Sequence, residues 1–120
     1  MVYKRDYNSL VSRVDKLMCQ LGAEKDQYGA YHFDTDCGKM RVKIDNFRQK
    51  CECVWVYTCV ENPELAKQRF NHTEVFKYMT QELNTFNGKY NAFNDSMGVL
   101  YHWLYEYVMA CLPDGKRVDY

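Results

Sequence analysis

Thiols, imidazoles and a set of interleaved basic and aromatic side chains are the groups through which this chain could do chemistry. Cys37, Cys51, Cys53 and Cys59 are enough sulfur for a structural zinc ion, provided four ligands converge on one point at about 2.3 Å. The strand pairing expected below places Cys51 and Cys53 near one end of a strand and Cys37 with Cys59 at the other. That separation argues against zinc and leaves two unlinked thiols, or a cross-strand disulfide, at Cys37 and Cys59. His102 and Glu106 stand four residues apart, a spacing that serves metal ligation or proton transfer, and more plainly a hydrogen-bonded pair on one helix face. His32 reads as a core histidine, His72 lies at a helix start, and Asp34-Thr35-Asp36 reads as a turn. A cysteine nucleophile needs a nearby base and a depressed pKa, and the spacing specifies neither. The expectation is no catalytic residue, no cofactor and no bound metal, with a cysteine–histidine enzyme or metal protein as the third reading.

The interleaved set is more informative. Cys51 to Val60 reads as a strand with Cys51, Cys53, Trp55, Tyr57 and Cys59 on one side and Val54, Val56 and Val60 on the other. Lys39 to Asp45 alternates Met40, Val42 and Ile44 against Lys39, Arg41, Lys43 and Asp45. If the loop between these strands is flanked by Asp45 and Cys51, Lys43 faces Cys53, Arg41 faces Trp55 and Lys39 faces Tyr57. If the preceding hairpin closes around Asp36, Phe33 lies opposite Lys39 and Tyr31 opposite Arg41. Tyr31, Phe33, Lys39, Arg41, Lys43, Trp55 and Tyr57 then share one face. Ala30, His32, Met40, Val42, Ile44, Val54 and Val56 share the other, which suits a core. A mixed aromatic and basic face can hold a protein partner, stack bases beside phosphates, or simply be solvated with Arg41 lying over Trp55.

The elements that must position these groups follow from periodicity. Asp6 to Leu21 is an amphipathic helix with Leu10, Val14, Leu17, Met18 and Leu21 on its apolar face and Gly22 at its end. Three strands follow, Tyr28 to Asp34, Lys39 to Asp45 and Cys51 to Val60, joined by short polar turns as in an antiparallel meander. Asn62-Pro63-Glu64 opens a helical pattern reaching Phe86, with a break suggested at Asn71 and an apolar stripe of Phe76, Met79, Leu83 and Phe86. A last helix, capped by Asn94 or Asp95 and ending at Cys111, is apolar nearly all round and should be central. Its Leu100, Tyr101, Leu104 and Val108 belong to the core, while Val99, Trp103 and Tyr107 form an edge open to a partner or a second copy of the chain, so a homodimer is an option. The segment to Tyr120 is expected to fray.

The expected fold is a single α+β domain over residues 1–120: a three-stranded antiparallel meander with helices against one face, in the order α-β-β-β-α(α)-α. Sixteen basic side chains balance sixteen acidic ones, so there is no global attraction to phosphate or anionic lipid. No stretch is long and apolar enough to span a bilayer, and the first twenty residues carry charges rather than a leader's apolar run. The expected location is the cytoplasm, where the six cysteines remain thiols. Eleven tyrosines and two tryptophans suit an interface. The expected function is therefore non-enzymatic docking of a macromolecule, most naturally a protein, by an adaptor or inhibitor, including the accessory proteins with which viruses block host machinery. The expected contact residues are Tyr31, Phe33, Lys39, Arg41, Lys43, Trp55, Tyr57, Trp103 and Tyr107. The alternative is nucleic-acid or nucleotide binding on the same sheet face.

Overall fold

The computed structural model describes residues 4–44, 54–71, 89–92 and 97–120, without the side chains of residues 54–55, 89–92, 97 and 99. The chain runs α1 (Lys4–Gln20), β1 (Glu24–Lys25), β2 (Tyr31–Thr35), β3 (Gly38–Ile44), β4 (Val54–Val60), α2 (Pro63–Phe70), β5 (Lys89–Ala92) and α3 (Met97–Cys111). The five strands form one antiparallel sheet in the order β1-β2-β3-β4-β5. The α+β class and the meander stand, with a short strand added at each edge. Among the described residues no helix is long and apolar enough to cross a membrane.

Leu10, Val14, Leu17 and Met18 recur every three or four residues along α1, and all four are buried. The helix stops in a Schellman turn: Ala23 N–H donates to Met18 O at 3.0 Å and Gly22 N–H to Cys19 O at 3.1 Å, with Gly22 at φ +69°. In α2 the Asn62 side chain accepts from Leu65 N–H at 3.2 Å, Pro63 occupies the first turn, and Asn71 caps the end. The helical stripe from Phe76 to Phe86, the caps Asn94 and Asp95, and His72 lie outside the described residues.

The last helix is central, as its composition requires. Leu100, Tyr101, Leu104 and Val108 are buried, and α3 packs between α1, α2 and the inner face of the sheet. The edge expected to be open is closed at Trp103 and Tyr107; the Val99 side chain lies outside the described residues. Trp103 and Tyr107 are 2% and 0% exposed, their rings stack at 5.6 Å, and Phe70 of α2 meets Tyr107 edge-on at 5.3 Å. Neither residue is available to a partner or a second copy, because α2 covers the side of α3 that the sequence left unassigned. The terminal segment is likewise held rather than frayed. Tyr105 Oη donates to Val118 O at 2.6 Å, Tyr101 Oη to Tyr120 O at 2.9 Å, and Asp119 N–H to Gln20 Oε1 at 3.0 Å. Arg13 lies 3.9 Å over the Tyr101 ring.

Candidate functional site: the outer face of the sheet

Two registers decide which side chains the outer face presents. Between β2 and β3 the loop is the two residues Asp36-Cys37, and Thr35 pairs with Gly38. Thr35 Oγ1 donates to Gly38 O at 2.7 Å and accepts from Cys37 N–H at 3.0 Å, which locks the tight turn. An even loop shifts the pairing by one relative to closure around Asp36, so Tyr31 opposes Val42 and Phe33 opposes Met40. Tyr31 and Phe33 therefore join the core, each 6% exposed, and are not contact residues. Tyr31 Oη donates to Asp15 Oδ1 at 2.8 Å, and burial followed by this bond pushes its pKa up.

The same shift turns His32 outward, opposite Arg41, where a core position was expected. His32 Nε2 lies 2.8 Å from Asp26 Oδ2. Asp26 Oδ1 accepts from Tyr28 N–H at 2.8 Å and Ala30 N–H at 3.0 Å, closing the β1–β2 loop. The His32 bond, then the Ala30 amide, lower the Asp26 carboxyl to about 2.

Between β3 and β4 the register differs by four residues, an even number, so the faces are kept while the partners change. Lys43 opposes Tyr57 rather than Cys53, Arg41 opposes Cys59 rather than Trp55, and Ile44 opposes Val56. Arg41 and Trp55 are thus not cross-strand neighbours; Trp55 pairs with Asn91 of β5 and Tyr57 with Lys89. Lys39 lies opposite Asp34, and its N–H donates to Glu61 Oε1 at 2.6 Å. Val56 and Val60 face the core with Met40 and Val42.

Arg41, Lys43, Tyr57, Thr58 and Cys59 border an open concavity of about 210 Å³. Arg41 and Cys59 are exposed, Lys43 is half-buried, and Tyr57 is 37% exposed. Among the described residues neither Arg41 nor Lys43 has an acidic partner. Of the nine residues the sequence nominated, the structure brings Lys39, Arg41, Lys43 and Tyr57 together on this face and places Trp55 in the same strand pair. Tyr31, Phe33, Trp103 and Tyr107 go to the core. His32 joins the face although the reading of the sequence gave it to the core, while Cys59 stands on the side expected of it. Only the parity of the Asp36-Cys37 turn could have signalled His32.

Among the described residues the other chemistry considered does not come together. Cys51 and Cys53 lie outside the described residues. Cys37 is in the core beside Cys111, with burial raising both thiols, whereas Cys59 lies on the opposite side of the sheet. Among the described residues no group of three or more His, Cys, Asp or Glu could hold a metal. Glu106 is engaged by Arg117 at 3.1 Å and the His102 ring meets Tyr120 at 5.5 Å, so these two do not form the pair expected. The thiol of Cys59 is two strands from His32, about 10 Å, with Arg41 between them, too far for direct proton transfer. No protein-family model, curated protein or solved structure matches the chain.

Proposed function

We propose that this protein is a non-enzymatic binding module that docks a protein partner, as an adaptor or inhibitor would, on the outer face of its sheet. The observation that supports this is the asymmetry of the sheet. Its inner face is covered by the described helices, while Arg41, Lys43 and Tyr57 stand around an open concavity on the other. Arginine and tyrosine contribute strongly to protein interfaces because each combines a large planar surface with hydrogen-bonding groups. A cytoplasmic location belongs to the same reading: Cys37 and Cys111 lie together in the core as thiols, and Cys19 and Cys59 are exposed thiols.

The test is affinity capture from lysate with the wild-type protein and with Arg41→Glu combined with Tyr57→Ala. Both positions are on the surface, so the variant should keep the wild-type circular dichroism and melting temperature. A protein retained by the wild type and lost by the variant is the expected result. If the folded variant retains the same proteins as the wild type, the outer face is not the docking surface.

A further inference from the structure

The charges on the outer face are not evenly distributed, and their placement specifies a partner chemistry. Lys39 is compensated, with Asp34 directly opposite and Glu61 bonded to its backbone amide. Arg41 has His32 and Cys59 as its cross-strand neighbours, and Lys43 has Tyr57. No acid stands directly opposite either cation in the described sheet, and Lys89 of β5 holds the position opposite Tyr57, so the basic positions gather around Tyr57. Arg41 and Lys43 sit two residues apart on one strand, about 7 Å, with the Tyr57 ring in the adjacent strand.

We infer that this site receives an extended acidic segment of a partner protein, with carboxylates on alternate residues. The inference rests on the outer face being the docking surface. In an extended peptide, side chains two residues apart point to one side with the same spacing of about 7 Å, so two carboxylates can meet Arg41 and Lys43 together. The Arg41 guanidinium can donate two parallel hydrogen bonds to one carboxylate, and Tyr57 supplies apolar area beside the other. The concavity of about 210 Å³ leaves room for both head groups. A nucleic acid fits less well. Its phosphates need a basic track that continues in both directions, and Glu24, Asp34 and Glu61 close this one on the β1 side and at the Lys39 end of β3.

The experiment is fluorescence anisotropy with short labelled peptides. One carries Glu on alternate residues, one has the same composition with its Glu residues adjacent, and one has Gln for every Glu. The alternating acidic peptide should bind at least about tenfold more tightly than the Gln peptide and more tightly than the clustered one. Arg41→Glu with Lys43→Glu should abolish that preference, and Lys116→Glu, an exposed charge elsewhere, should leave it intact. Arg41→Gln with Lys43→Gln reads the same dependence if charge reversal disturbs folding. Equal affinity for the three peptides overturns the inference, as does displacement of the acidic peptide by a single-stranded oligonucleotide at lower concentration. If a captured partner depends on Arg41 and Tyr57 yet is not competed by the acidic peptide, the docking face survives and the acidic segment does not.

Discussion

Arg69 is the side chain whose removal should most disturb the junction of three elements. From α2, its Nη1 donates to Leu112 O at 2.8 Å and Ala110 O at 3.3 Å, while Nη2 meets Asp36 Oδ2 at 3.1 Å. The two carbonyls terminate α3, where the helix leaves acceptors unpaired and its dipole is negative, so a cation there satisfies both needs. Each carbonyl bond to a charged donor contributes about 1 kcal/mol in this half-exposed setting. The Asp36 ion pair contributes less than about 1 kcal/mol, since its partners are 25% and 41% exposed. Arg69→Ala should therefore cost about 2–3 kcal/mol, with the buried stem of the side chain included. Urea denaturation should show this loss with the slope unchanged, and the melting temperature should fall by about 10 °C for a domain of this size. Asp36→Ala should cost under about 1 kcal/mol, and adding it to Arg69→Ala should change little, since the pair is already broken. An Arg69→Ala protein within about 0.5 kcal/mol of wild type, or an Asp36→Ala loss as large as that of Arg69→Ala, would refute the assignment of the energy to the helix end.

Three further outcomes follow from local geometry. Gly38 has φ +94°, and a Cβ there would sit 2.7 Å from Glu61 Cβ. Gly38→Ala should cost about 2 kcal/mol or more by denaturant titration, against about 1 kcal/mol for Gly22→Ala, where φ is +69° and the space is open. Thr58 Oγ1 is buried with no hydrogen-bond partner among the described residues, so Thr58→Val should stabilise by about 1 kcal/mol; a destabilised variant would mean the hydroxyl is satisfied. Asp26 is held at about 2 in the folded state against an ordinary 3.8, so its stabilising contribution is full above the unfolded value and is lost as pH falls from about 4 towards 2. A carboxyl titration followed by NMR should place its midpoint near 2 and move it towards 3.8 in His32→Ala; an unmoved midpoint would remove His32 as the cause.

Much of the architecture is legible along the chain because side-chain periodicity reports which face of an element meets apolar surroundings. The stripe Leu10, Val14, Leu17 and Met18 predicts the buried face of α1, and the near-absence of polar residues in α3 predicts its central place. The alternation of Met40 and Val42 with Arg41 and Lys43 separates the faces of β3 correctly. The four-residue change in the β3–β4 register leaves that separation intact, since an even shift preserves the alternation.

What tertiary structure alone decided is how the elements align and which covers which. Whether the β2–β3 loop holds two residues or three is settled by hydrogen bonds at Thr35 and Gly38 that no hydrophobic pattern encodes, and that choice sent Tyr31 and Phe33 inward and His32 outward. Trp103 and Tyr107 look the same in the sequence whether solvent or Phe70 lies against them, because burial depends on a neighbour from a distant part of the chain. The terminal segment is ordered for a similar reason, through acceptors offered to Tyr101 and Tyr105 that a local reading does not pair. Local patterns record each element's preference for water or for the core. The partner that satisfies the preference is a matter of three-dimensional alignment, and here that alignment gathers Arg41, Lys43 and Tyr57 around one concavity of the outer face.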